Sequence, residues 1–197
     1  MLSTFTAFFD SNVFFGARLR SLILYLAQTG HFRARWSDDV HREWMSAVLE
    51  KRPGLSKEYL VNTQRLMDAS TLNCKVTDYD LLVPGLKLPD PDDRHILAAA
   101  AKASASVIVT FNEKDFPSNA LEPFGLHTRH PDQFILDLES LDSASLIEQA
   151  RKDWRHYRAP ELSFQAYLDG LRAAGVPRTA TFFQSVEVLF SSTSQGN

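Results

Sequence analysis

The sequence predicts an α/β sandwich with a central parallel sheet, followed by an all-helical extension. Three observations carry that expectation. Short apolar runs alternate with helical stretches through about residue 130, the pattern of repeated strand–helix units. The run Ser106-Val-Ile-Val-Thr110 is β-branched, as in buried parallel strands. From Pro131 onward the pattern is helical only.

Taken in order, Thr6–Phe9 is a short apolar run ending at Asp10 and reads as a central strand. A helix is expected over Val13–Thr29, because Leu19, Leu22, Ile23 and Leu26 recur on one face and Gly30 can stop it. Phe32–Trp36 is a second strand. Ser37 or Asp38 then caps a helix through Val40, Trp44 and Val48 to Lys51, which Pro53-Gly54 breaks. Another helix covers 56–72, and Cys74–Thr77 is expected as a third strand. The alanine-rich stretch after Asp93 is helical to about Ser104 and leads into the strand Ser106–Thr110. Phe111–Pro117 is a loop, and Leu126–Arg129 a last short strand. Helices are then expected over 131–141, 143–158, 161–174 and 178–190, with breaks at Pro160, Gly175 and Pro177. The expected organisation is a unit over residues 1–130, a helical extension over 131–190 and a disordered Ser/Gln/Gly-rich tail over 191–197.

Composition narrows the class. An apolar fraction of 44% and a charged fraction of 23% are ordinary for a soluble globular chain. The single cysteine, Cys74, excludes an intrachain disulfide and a cysteine zinc cluster, and fits a reducing cytoplasm. No basic residue precedes the apolar N-terminal run and Asp10 cuts it short, so neither a signal peptide nor a membrane span is expected. The net charge of −3 argues against a protein coated in basic surface. That excess lies wholly after residue 130, however, and between Ser11 and Ser37 stand Arg18, Arg20, Arg33 and Arg35 with no acid. These arginines are phosphate-clamp candidates. Ordinary solvation is the expectation for at least two of them.

The acids point to chemistry. In Leu88-Pro-Asp-Pro-Asp-Asp-Arg-His-Ile96, Asp90, Asp92 and Asp93 crowd a loop just before a helix. One acid suffices to cap a helix, and three repel each other unless a cation sits among them. Mg²⁺ and Mn²⁺ prefer carboxylate oxygens. Parallel sheets place their sites at the C-terminal strand ends. Asp10 follows the first strand, Glu43 lies on the helix after the second, and Asn112 and Asp115 follow Ser106–Thr110. Asp93 starts the helix before that strand, so four acids from four segments can converge. His95 can equally be a packed histidine or a ligand. The turn Asp10-Ser-Asn12 lacks the glycines of a phosphate-binding loop.

Four stretches in register are familiar. Phe9-Asp-Ser-Asn-Val-Phe14 resembles the opening motif of PIN domains, and Trp36-Ser-x-x-Val-x-x-Glu43 resembles their second acidic motif. The stretches beginning Asp90-x-Asp-Asp and Val109-Thr-Phe-Asn resemble the third and fourth. The helical remainder is similar to the extension of a subset of VapC-like PIN toxins. The resemblance implies a PIN-like three-layer sandwich and a metal-dependent endoribonuclease, the toxin of a toxin–antitoxin pair. It makes Asp10, Glu43, Asp93 and Asp115 the catalytic acids that hold one or two Mg²⁺ or Mn²⁺ ions. Asn12, Asn112 and Arg18 are the substrate-binding candidates. Asp93 is preferred to Asp92 because Ile96 follows it by three residues, as in the family motif. RNA, an antitoxin and a second copy of the chain are the expected partners. A phosphatase of the haloacid dehalogenase type is disfavoured, since Asn12 stands where that mechanism wants an acid. A catalytically inactive RNA-binding or regulatory module is the remaining alternative.

Overall fold

The computed structural model describes residues 4–191, so the expected disordered tail lies, from residue 192 onward, outside the described residues. Four parallel strands form the sheet: β1 (Phe5–Phe9), β2 (Phe32–Arg35), β3 (Val107–Val109) and β4 (His127–Arg129). Their spatial order is β2-β1-β3-β4. β1 and β3 lie in the middle, and Thr6–Phe9 and Val107–Val109 are buried. A strand covered on both faces reads as an unbroken apolar run. The edge strands are short and carry Arg33, Arg35, His127 and Arg129, which suits an edge exposed to water.

The helices of this part are α1 (Ser11–Phe15), α2 (Ala17–Ala27), α3 (Asp38–Lys51), α4 (Lys57–Ser70), α5 (Arg94–Lys102) and the short α6 (Ser118–Leu121). Two expectations need correction here. The helix expected over Val13–Thr29 is broken at Gly16, whose backbone is extended at φ −76°, ψ 113°. There it packs against the extension: an added Cβ would stand 3.3 Å from Ala174 Cβ. The strand expected at Cys74–Thr77 is only a single bridge to Trp36. The Trp36 N–H donates to the Cys74 carbonyl and the Val76 N–H to the Trp36 carbonyl, each at 2.9 Å. Asn73 and Asp78, left-handed at φ 53° and 60°, turn the chain away before a ladder can lengthen.

The C-terminal helices are α7 (Pro131–His156), α8 (Phe164–Ala173), α9 (Pro177–Ser185) and α10 (Glu187–Ser191). α7 bends at Asp142, the boundary expected between 141 and 143. Asp142 leaves the helical region and its carboxylate caps the next turn, accepting the Ser145 N–H at 3.0 Å. The helix expected over 178–190 is two, separated at Val186.

These helices complete the core of the sheet. Phe134 of α7 meets Phe32, Phe9 and Phe5 edge-on, with ring centroids 5.1, 5.6 and 6.3 Å apart. Asp153 of α7 is fully buried and accepts hydrogen bonds from Ser21 of α2 and from Tyr167 of α8. Asp132 caps α9, accepting the Arg178 and Thr179 N–H groups at 2.9 and 2.7 Å. Among the described residues no helix is long and apolar enough to cross a membrane.

Removing the Phe134 ring leaves a cavity against three aromatic neighbours. Phe134→Ala is expected to lower the unfolding free energy by about 3–5 kcal/mol, read as a shifted urea midpoint at constant slope. A loss under about 1 kcal/mol would contradict this placement. A chain ending at His130 uncovers Phe5, Phe9 and Phe32 and should be insoluble or unfolded by circular dichroism.

Candidate active site

β1 delivers Asp10 to the C-terminal edge of the sheet, where it is only 4% exposed. Its N–H donates to the Val109 carbonyl at 3.1 Å, joining the ends of β1 and β3. Its Oδ2 accepts from Asn12 Nδ2 and from the Thr110 hydroxyl, both at 2.6 Å, and its Oδ1 from Ser11 at 3.2 Å. Asn12 Nδ2 also donates to Thr110 Oγ1 at 3.0 Å, while Asn12 Oδ1 accepts the Phe111 N–H at 3.2 Å. Sequence reasoning misses Thr110. The available signal was a hydroxyl closing a buried apolar run, a group that cannot stay unpaired there.

Asp93 closes the turn Pro91–Asp93 that leads into α5. Asp90 caps that turn by accepting the Asp92 N–H at 2.9 Å, and Asp92 is exposed. The Asp93 carboxyl is pushed up to about 7, chiefly by burial and then by the charges of Asp10, Asp90 and Asp115. Asp10 is also raised by burial, against the hydrogen bonds from Thr110 and Ser11, with the charge of Glu43 adding to the rise. Asp10 is thus coupled to Glu43 on one side and to Asp93 on the other, and Asp93 in turn to Asp115. Asp115 is fixed by its N–H, which donates to the Asn112 carbonyl at 3.0 Å.

Glu43 has a partner, His95, whose Nε2 lies 2.6 Å from Glu43 Oε1. His95 Nδ1 is 3.9 Å from Asp39, beyond hydrogen-bond range. Burial alone would lower the histidine's pKa, but the hydrogen bond and charge of Glu43, with Asp39 and Asp10 nearby, raise it.

The substrate-binding candidates separate. Asn12 is tied to Asp10 and Thr110. Asn112 is exposed and is held through its backbone, its N–H donating to Thr110 Oγ1 at 3.0 Å. Of the arginines, Arg33 and Arg35 donate to backbone carbonyls at the β2 edge. Arg20 is buried, donating to the Phe14 carbonyl at 2.6 Å beneath the Trp44 ring. Arg18 lies over the Tyr157 ring at 3.8 Å, in a cleft that Asn12 also lines.

Among the described residues, no three Asp, Glu, His or Cys side chains stand close enough to enclose an ion as they are. The oxygen-rich donor set nonetheless fits a hard divalent cation, because positive charge there would relieve the crowding that raises Asp10 and Asp93.

The family model for the PIN domain matches residues 6–114, and that for the VapC50 C-terminal domain matches residues 131–184. A Mycobacterium tuberculosis protein named "Putative ribonuclease VapC50" is 52% identical over 60 residues. That alignment spans 30% of this chain and 32% of the relative's length. No solved structure matches.

A carboxyl raised from 3.8 to about 7 keeps its proton in the folded state where the unfolded chain has lost it. Its stabilising contribution is full below the lower value and is lost as pH climbs through the higher one. In EDTA, Tm should therefore fall between about pH 4 and pH 7, and Asp93→Asn should flatten that fall. An identical pH profile for variant and wild type would contradict the crowding.

Proposed function

We propose that this chain, which belongs to the PIN-domain family, is a VapC-type ribonuclease that hydrolyses RNA phosphodiester bonds. In this reading Asp10, Glu43, Asp93 and Asp115 hold Mg²⁺ or Mn²⁺. The observation that carries it is the crowding of these acids at the C-terminal edge of a parallel sheet. Such a cation would supply charge stabilisation at the phosphate and the leaving oxygen and would make an attacking water easier to deprotonate. The chain's own contribution is orientation. Ser11, Asn12 and Thr110 fix the Asp10 carboxylate, and His95 fixes Glu43, as outer partners hold ligands elsewhere. Arg18 and Asn112 are assigned to the RNA backbone beside the cut. An antitoxin is the expected protein partner, with a second copy of the chain as another. The buried Cys74 thiol, pushed up to about 11 mainly by burial, is unreactive and compatible with a reducing cytoplasm.

A second reading, an RNA-binding module without catalysis, draws on two observations: Glu43 is engaged by His95, and among the described residues no closed cage stands ready. Cleavage assays separate them. The purified protein should cut single-stranded RNA in Mg²⁺ or Mn²⁺ and stop in EDTA. Asp10→Asn and Asp93→Asn should abolish cleavage in folded protein. Thr110→Val should lower kcat about 10–100-fold, the usual effect of losing a ligand's outer partner. RNA binding with no cleavage in either cation would favour the second reading.

A further inference from the structure

We propose that the cleft between α1–α4 and the C-terminal helices is a track for the single-stranded RNA flanking the cut, with one wall supplied by the extension. The inference rests on the ribonuclease reading and adds where the substrate lies. The cleft has a volume of about 770 Å³ and its lining includes Asn12, whose side chain donates to Asp10. Its lining holds Arg18, Arg20 and Arg52 and no acid, in a chain of net charge −3. Among the described residues none of these guanidiniums is paired with a carboxylate. Arg20 is buried against the Phe14 carbonyl and Arg18 also acts on the buried Asp153, so the accessible positive charge comes from Arg52 and from the Arg18 head on the Tyr157 ring. Such charge beside the acidic edge suits a polyanion.

Aromatic faces accompany the charge. Phe15 and Tyr59, 41% and 57% exposed, present flat apolar surface at the cleft. Arginines with accessible aromatic rings form the chemistry that holds a single strand, whose phosphates meet cations while its bases stack. In a duplex the bases are stacked on one another and cannot lie against such faces.

The extension is shaped around this cleft. Gly170 sits inside α8, where glycine is less favourable than alanine. The close approach of Arg18 requires it: an added Cβ would stand 2.9 Å from Arg18 Cγ. The Arg18 stem runs along α8 and its head rests on the Tyr157 ring. The arginine is thus set at the cleft wall by two residues of the extension.

The test is binding of fluorescein-labelled RNA in EDTA, single strand against duplex of the same sequence, read by anisotropy on the full chain. Arg52 and Tyr59 are exposed, so Arg52→Ala and Tyr59→Ala should fold normally. Arg52→Gln and Tyr59→Leu repeat the test should either fail to fold. Tyr59→Ala should weaken single-strand binding by at least about 5-fold. Arg52→Ala should make the dependence of log K on log salt shallower by about 0.7, one phosphate contact's worth. Arg18→Ala should weaken the single strand more than the duplex. Equal weakening of single strand and duplex would overturn the proposal. So would wild-type single-strand affinity in every variant, which would leave the cleft to a protein segment. Because binding is read without cleavage, an inactive wild type would refute the ribonuclease reading and leave this result to be judged separately.

Discussion

The Thr110 hydroxyl donates to Asp10 and accepts from Asn12 and from the Asn112 N–H, which fills its one donor and two acceptor positions. The group is wholly buried, so breaking any of these bonds costs desolvation that water cannot return. The ends of β1 and β3 are thereby locked together, since the Asp10 N–H already pairs with Val109. The loop that positions Asp115 starts from the same point, through Asn112. Two of the four acids at the edge are therefore placed by one side chain that is itself no acid.

Concentrating like charge at that edge is unfavourable, and the surrounding fold offsets it. α5 packs against β1 and β3 with Ala98, Ala99 and Ala100 fully buried. Small side chains let the helix come close, and Asp93 at its start is carried into the patch. The tension is consistent with function, because perturbed carboxyls gather where a site needs them. A site already neutral would gain little from a cation.

The C-terminal helices are bound into this arrangement. Phe134 fills the space between three strand phenylalanines, and Asp153 ties α7 to α2 and α8 from a buried position. Burial pushes the Asp153 carboxyl up to about 6, and the Ser21 and Tyr167 hydroxyls answer its remaining need for donors. Gly16, Gly170 and Gly175 mark close approaches between the two parts. The acidic edge and the extension share one core, so the shape of the cleft beside Asn12 depends on both.

Periodicity and motif spacing in the sequence determined the strand–helix alternation, the helical C-terminal region, the bend at Asp142 and the candidate acids. Each of these is written in residues close along the chain: a buried run, an i, i+3, i+4 stripe, a carboxylate before a helix. Tertiary structure alone decided the break at Gly16, the shortening of Cys74–Thr77 to one bridge, the partner of Glu43 and the role of Thr110. It also decided which arginines line the cleft. Thr110 meets Asp10 across 100 positions of sequence, and Arg18 is seated by Tyr157 and Gly170 from the far end of the chain. Local patterns report what a residue prefers, whereas these contacts exist only because the packed core brings distant segments within reach.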